Sequence, residues 1–255
     1  MTRRMLKLTL NKGSLLYKHK KGFTILEILI AIPLASILSI VLANTIFIQY
    51  GGLLQGAAHA RLRMEGEILL LSLEDELLFS TDFASTKSSD LSDTNAPSGG
   101  WTYNTSPTDT LIVYETALTA DRRDPDREFV YKKSGSCSSS YNIAINNLMY
   151  FTKANTGNNY RTLYRRTLVP QYTTCGVNYK TQTCPAGLVV SPCSGEDSKL
   201  SDKVVDFQVT YYDDNNVLLT SPDNAELVKL TLTLGEKIYG EDITVPTSIS
   251  MKKVN

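Results

Sequence analysis

Histidine is scarce in this 255-residue chain, which contains only His19 and His59. Because both lie in the first quarter of the chain, no histidine-based catalytic triad can form from residues further along. The acidic run Asp213-Asp214-Asn215-Asn216 lacks the ligand ladder and distal glutamate of a calcium-binding EF-hand loop, and turn chemistry accounts for it. We therefore predict no catalytic residue, no metal, no cofactor and no enzymatic activity.

Acidic residues are absent from residues 1–22, which contain seven Lys or Arg residues. Without this segment the chain has 19 basic and 26 acidic residues, a net charge of −7. Basic residues that precede an apolar helix favour a cytoplasmic N-terminus, so the remainder of the chain is predicted to be exported. An acidic exported part argues against direct nucleic-acid binding, which needs a basic surface.

Charge is also nearly absent from residues 23–50, where Glu27 is the only charged residue among 28. As a helix this segment would be roughly 42 Å long, more than the ~30 Å hydrocarbon core of a membrane requires. We predict a single membrane-spanning helix. A carboxylate near one end of such a helix costs a few kcal/mol unless it is paired, which makes Glu27 a candidate functional residue.

Two simpler interpretations explain this segment less well. A secretory signal peptide would have a shorter apolar region, and its only plausible cleavage site, Ala58-His59-Ala60, lies too far downstream. A plain membrane anchor accounts for the length and the basic flank but leaves Glu27 unexplained.

The run Gly22-Phe23-Thr24-Ile25-Leu26-Glu27 resembles the cleavage and methylation motif of type IV prepilins and pseudopilins. The resemblance implies that residues 1–22 are a leader, that a prepilin peptidase cuts between Gly22 and Phe23, and that the new amine of Phe23 is methylated. It also implies that Glu27 pairs with the N-terminal ammonium of a neighbouring subunit. Such a pair would favour the correct alignment of neighbouring subunits, because an unpaired carboxylate in an apolar filament core is unfavourable.

The helix is predicted to continue past Tyr50, because apolar residues recur near helical spacing up to Leu77. Residues 51–83 would form its amphipathic half, ending near Phe79 to Phe83. Pro33 and the pair Gly51-Gly52 are positions where this helix can bend. The family usually carries its helix-breaking proline later than Pro33.

Residues 84–109 are rich in Ser, Asp, Asn, Pro and Gly and predict a long surface loop, with Trp101 packed back on the domain. Residues 110–255 predict an exported β-rich domain, because several segments alternate apolar and polar residues. An antiparallel sheet with one buried face would be covered by the amphipathic half of the helix, which gives an α+β fold. The predicted strands are 110–114, 129–131, 141–151, 160–169, 205–211, 228–234 and 243–254.

The order of the later strands also resembles W-type minor pilins and J-type pseudopilins, both of which have the pilin-like fold. The matching pieces are Leu163-Tyr164-Arg165-Arg166, Val205 to Tyr211, Val228 to Leu234 and the ending Ser248 to Asn255.

Four cysteines, Cys137, Cys175, Cys184 and Cys193, all lie on the predicted exported side. Four cysteines permit three pairings, and the sequence does not select among them. The last three lie in a Thr-, Gly- and Pro-rich insertion near residues 171–198, which disulfide bonds would stabilise. A zinc site is a poorer match, because the cysteines lack the short spacing of zinc ribbons and no histidine is near.

Together these features predict a minor type IV pilin, a structural subunit at or near the tip of a pilus that primes assembly and supports adhesion, motility or DNA uptake. The resemblance implies other pilin subunits, the prepilin peptidase and methyltransferase, and an inner-membrane assembly platform as partners. The protein would start in the cell membrane and end in a periplasmic or extracellular filament. A J-type pseudopilin of type II secretion and a membrane-anchored extracellular binding protein are the alternatives.

Overall fold

A computed structural model describes residues 22–104, 109–137 and 142–253. The predicted leader up to Lys21, the residue Tyr141 and the end of the last predicted strand lie outside these ranges. The described chain forms one α-helix, α1 (Ile25–Leu77), and twelve strands. The strands are β1 (Ser80–Phe83), β2 (Leu111–Thr116), β3 (Tyr131–Lys132), β4 (Ile145–Ala154), β5 (Arg161–Leu168), β6 (Thr174–Cys175), β7 (Thr183–Cys184), β8 (Gly195–Glu196), β9 (Ser198–Tyr212), β10 (Leu218–Leu219), β11 (Leu227–Ile238) and β12 (Glu241–Lys252).

The chain divides into two compact units, one ending at Tyr50 and the other beginning at Gly51. In the first unit, the described residues are exposed along their whole length and include Pro33 inside the helix. Three hydroxyl groups of this apolar segment donate to the carbonyl oxygen four residues earlier, those of Ser36, Ser39 and Thr45. Such bonds satisfy polar groups within the helix itself, which suits an apolar surrounding.

The second unit is built on an eight-stranded antiparallel sheet with the order β1-β2-β4-β5-β9-β11-β12, in which β10 pairs with β9. One face of this sheet is covered by the second half of α1, through the buried residues Ala58, Leu62, Leu69, Leu70, Leu73 and Leu77. The predicted α+β architecture, with a helix on an antiparallel sheet, is therefore confirmed. The helix approaches the sheet closely at Gly66, where a Cβ atom would lie 2.6 Å from Thr247 Oγ1.

The end of α1 differs from the sequence prediction. The helix stops at Leu77, and Ser80 already begins β1, which the sequence analysis assigned to the end of the helix. The Ser80 hydroxyl donates to the carbonyl oxygen of Leu77 at 2.6 Å, so a serine satisfies a group that the helix end leaves open. Hydrophobic spacing alone cannot show this switch, because Leu77, Leu78 and Phe79 continue the apolar run.

The sheet is covered on part of its second face as well. Residues of the 84–101 loop, among them Leu91 and Trp101, pack against Ile112, Met149 and Phe151. As a result β4 is buried without interruption from Asn146 to Thr152, instead of on alternate residues as the sequence predicted. The prediction of a single buried face was wrong for this strand, because a loop without hydrophobic periodicity supplies the second cover. Trp101 is buried, as predicted.

Candidate functional site

The predicted processing site, Gly22 and Phe23, lies at the start of the described residues. Within the described ranges, no heavy atom beyond the neighbouring residues comes within 4 Å of a Cβ atom built on Gly22, and the Phe23 residue is 80% exposed. The segment is therefore accessible at Gly22 and Phe23. Cleavage and methylation at these residues stay a prediction.

Thr24 and Glu27 form a reciprocal cap at the start of α1. The Glu27 carboxylate accepts from the backbone N–H of Thr24 at 2.8 Å and from its hydroxyl at 3.0 Å. In return, the backbone N–H of Glu27 donates to the Thr24 hydroxyl at 3.3 Å. This arrangement is a capping box, which satisfies N–H groups that a helix start leaves free. Glu27 therefore has a partner within its own chain. The Thr-x-x-Glu spacing is the sequence signal that predicts this capping box.

The apolar segment that follows is long enough and apolar enough to cross a membrane, and α1 is the one helix in the described ranges with this property. Apolar side chains such as Ile30, Leu38 and Phe47 are more than half exposed in the isolated chain. A surface of this size requires an apolar environment, which a membrane or the helices of other subunits can supply.

At the other end of α1, Glu76 joins the helix to the sheet. Its carboxylate accepts from the Arg165 guanidinium at 2.8 and 2.9 Å and from the Tyr150 hydroxyl at 2.5 Å. Burial raises the pKa of Glu76, but attraction from Arg165, the Tyr150 hydrogen bond and nearby Lys180 outweigh it, so the net shift is downward. Lys180 also pairs with the buried Glu115 at 2.6 Å, and burial raises the pKa of Glu115.

Arg166, the next residue on β5, lies in a second buried charge cluster. Its guanidinium donates to both carboxylate oxygens of Asp197 at 2.9 and 2.6 Å and to Asp93 at 2.9 Å. All three side chains are at most 2% exposed. The Trp101 indole N–H also donates to Asp93 at 2.7 Å, so one arginine ties the 84–101 loop and the cysteine-containing insertion to the sheet. In the sequence, Arg166 is marked only by its place in the run Leu163-Tyr164-Arg165-Arg166.

The four predicted cysteines form two disulfide bonds, Cys137–Cys175 and Cys184–Cys193. The first disulfide links cysteines that are 38 residues apart in the sequence. The second links cysteines nine residues apart and closes a short loop inside the insertion. The structure thus selects one of the three pairings that the sequence left open.

Two further groups of charged residues form turns and ion pairs. The Asp213 carboxylate accepts from the backbone N–H groups of Asn215 and Val217, which is turn chemistry as predicted. Arg122 and Arg123 both pair with Asp75 on α1. Among the described residues no group of three or more metal-ligating side chains comes together.

Comparisons of the chain with protein-family models, with curated proteins and with solved structures returned no match.

Proposed function

We propose that this chain is a minor subunit of a type IV pilus, anchored in the membrane by residues 23–50 before it enters the filament. The observation that carries the proposal is the run from Gly22 to Glu27 placed directly at the start of the one apolar helix of membrane-spanning length. In this function the β-rich unit faces outward at or near the filament tip. The exposed apolar side chains of α1 pack first against lipid and then against the helices of other subunits.

Leader removal is the first step of the proposal. Cleavage between Gly22 and Phe23 by a prepilin peptidase would create an ammonium group on Phe23, two residues before the helix begins at Ile25. The basic leader keeps this end of the chain on the cytoplasmic side until cleavage. The new ammonium, methylated or not, is a cation that a neighbouring carboxylate can pair with in an apolar core.

Glu27 would then exchange partners during assembly. In the single chain its carboxylate is held by Thr24, so it is not left unpaired within the apolar segment. In the filament, the ammonium of a neighbouring Phe23 would take the place of the Thr24 hydroxyl. The exchange would favour subunits that align the two groups, because a misaligned neighbour would offer no cation.

Mass spectrometry of the mature protein purified from cells tests the cleavage step. We expect an N-terminus at Phe23, and a different N-terminus would overturn the proposal. In the same cells, recovery of the chain in sheared filaments would support a pilus subunit. Secretion that depends on the chain without surface filaments would point instead to a J-type pseudopilin.

A pair of variants tests the role of Glu27. Glu27→Ala should leave cleavage intact but strongly reduce incorporation into filaments, because the carboxylate is lost for the neighbouring ammonium. Thr24→Val serves as the matched variant, since it removes the hydroxyl of the cap and keeps the carboxylate. We expect Thr24→Val to incorporate better than Glu27→Ala, and equal incorporation of wild type and Glu27→Ala would contradict the pairing role.

A further inference from the structure

Lys180, Glu115 and Glu76 form a buried trio where the end of α1, strand β2 and the segment between β6 and β7 meet. The Lys180 Nζ lies 2.6 Å from Glu115 Oε2 and 3.6 Å from Glu76 Oε1. The three side chains are 15%, 3% and 14% exposed, in that order. An amine is therefore held against one carboxyl group, with a second carboxylate close by, in a place that little water reaches.

The pair Lys180–Glu115 differs from an exposed ion pair of the same length. Lys199 also lies 2.6 Å from a carboxylate, that of Asp202, but both of those side chains are about half exposed. Water screens an exposed pair and keeps both of its groups charged. Burial makes two charged groups expensive to maintain, so a reaction that removes both charges is favoured at Lys180 and Glu115 and not at the exposed pair.

The two carboxyl groups around Lys180 are tuned in opposite directions. Burial raises the pKa of Glu115, and attraction from Lys180 opposes that shift without reversing it. Burial also raises the pKa of Glu76, but Arg165, the Tyr150 hydroxyl and Lys180 outweigh it and lower the pKa. Glu115 therefore takes up a proton more readily than an exposed carboxylate does, whereas Glu76 stays ionised at neutral pH and can accept one.

Asn146 adds a hydrogen-bond donor on the same face of the sheet. It is the direct cross-strand partner of Glu115 in the register of β2 and β4, so the two side chains are neighbours. Asn146 is fully buried, and its Oδ1 accepts from Asn178 Nδ2 at 2.6 Å. Its own Nδ2 has no hydrogen-bond partner among the described residues. A buried donor next to a reacting carboxyl group can stabilise the negative oxygen that develops there.

We propose that Lys180 and Glu115 condense to an intramolecular isopeptide bond, with release of one water molecule and with Glu76 as the proton carrier. The bond joins β2 to the insertion near residues 171–198 and is a third cross-link beside the two disulfide bonds. The chain modifies itself once in this reaction. The bond does not depend on filament assembly.

The reaction balances without a further reactant. One ammonium proton of Lys180 moves to Glu115 Oε2, and the neutral amine then attacks Cδ, the carbon to which Oε2 is bonded. Glu76 takes a second proton from the nitrogen and returns it to Oε2, which leaves as water. The Nζ–Cδ bond forms, the Cδ–Oε2 bond breaks, and the third proton stays on the amide nitrogen. Contact between the two groups replaces the encounter that limits amide formation in solution.

The surroundings suit both the reaction and its product. A cavity of about 470 Å³ is lined by Glu76 and Lys180, so the released water has space beside the pair. When Lys180 loses its charge, Glu76 keeps a cation, because Arg165 Nη1 lies 2.8 Å from its carboxylate. No carboxylate of the trio is then left buried without a partner.

Intact mass spectrometry of the purified full chain, reduced and denatured, tests the bond. We expect a mass lower by one water than that of the sequence counted from the observed N-terminus. A protease digest should contain two peptides joined through residues 115 and 180. Succinimide formation at an aspartate also releases one water, but it joins no peptides, so the digest distinguishes the two reactions.

Three variants identify the reacting groups. Lys180→Arg keeps a cation beside Glu115 but replaces the amine by a weakly nucleophilic guanidinium, so this chain should have its full mass. Lys199→Arg makes the same substitution in the exposed pair and should still lose one water. Glu76→Gln should leave most chains at full mass when wild type is completely condensed, because the proton carrier is lost. Circular dichroism spectra like that of wild type show that the variants fold.

Several results would overturn the proposal. A wild-type chain at its full mass excludes the bond, and so does a loss of water that persists in Lys180→Arg or that maps to other residues. Complete condensation in Glu76→Gln would overturn the role of Glu76 as proton carrier. These results do not depend on which N-terminus the mature protein has, so failure of the bond and failure of the proposed pilus function are distinguishable.

Discussion

Arg165 and Arg166 are neighbours on β5, yet they serve opposite faces of the sheet, because successive side chains of a strand point to opposite sides. Arg165 binds Glu76 at the end of α1, on the helix-covered face. Arg166 binds Asp93 and Asp197 on the face covered by the loop and the insertion. Arg165 thus attaches the helix to β5, and Arg166 attaches the 84–101 loop and the insertion to the same strand.

The two covers are held by different forces. The helix-covered face contains a cluster of 24 buried apolar residues, against seven in the main cluster under the loop. Apolar burial of that extent can hold the helix in place with or without its ion pair. The loop side has less apolar area, so its position depends more on the buried arginine and on the disulfide bonds of the insertion. This difference leads to four predictions.

The largest effect should follow the loss of Arg166. Arg166→Met leaves Asp93 and Asp197 buried without their shared cation, which costs about 3–5 kcal/mol of unfolding free energy. Urea unfolding of the full chain in detergent, followed by Trp101 fluorescence, measures the loss. Adding Asp93→Asn and Asp197→Asn removes the stranded charges and should recover most of the stability. A loss below about 1 kcal/mol in Arg166→Met would contradict the dependence of the loop on this cluster.

A smaller effect is expected on the helix-covered face. Glu76→Gln should cost about 1–3 kcal/mol at neutral pH, because the hydrogen bonds to Arg165 and Tyr150 are weakened but the apolar cluster remains. Glu67→Gln is the matched control, since Glu67 forms only an exposed pair with Arg63 one helical turn away and should change stability by less than about 0.5 kcal/mol.

The same variant has a signature in its pH dependence. The folded-state pKa of Glu76 lies below its ordinary value of 4.5, because Arg165, the Tyr150 hydrogen bond and Lys180 favour the ionised form, so the carboxylate stabilises the fold above pH 4.5. That contribution is lost as pH falls below 4.5 and through the folded-state pKa. Glu76→Gln should therefore lose stability less steeply than wild type under acid conditions. Identical acid slopes would show that Glu76 does not contribute in this way.

The sequence predicts most of the helix-covered face of the sheet but little of the face covered by the loop and the insertion. Hydrophobic periodicity revealed α1 and the long strands, because both bury a regular stripe of side chains. The loop cover has no such period. Asp93 and Asp197 are 73 and 31 residues from Arg166, and nothing local marks them as its partners.

The remaining differences also have physical causes. The short strands β6, β7 and β8 belong to the disulfide-bonded insertion, where cross-links replace a hydrophobic pattern. The cysteine pairing depends on the folded path of the chain, which spacing does not encode. The Thr24–Glu27 cap is the exception, because its Thr-x-x-Glu spacing is visible in the sequence.

The smallest effect should come from the contact of α1 with β12 at Gly66. Alanine is favoured over glycine inside a helix by about 1 kcal/mol, but here its Cβ would lie 2.6 Å from Thr247 Oγ1. We expect the clash to prevail, so that Gly66→Ala lowers the unfolding free energy by about 1 kcal/mol. Gly56→Ala lies in the same helix with no atom within 4 Å and should instead raise it by about 0.5–1 kcal/mol.

A second substitution separates the clash from other causes. Thr247→Ala removes the atom in the way, so Gly66→Ala combined with Thr247→Ala should be more stable than Thr247→Ala alone, as helix propensity then acts without opposition. Urea unfolding of the four chains, wild type included, gives the coupling between the two positions. Additive effects would mean that Gly66 is not required for the close approach. The helix cover would then tolerate local changes at this close contact, as expected of a face held mainly by broad apolar burial.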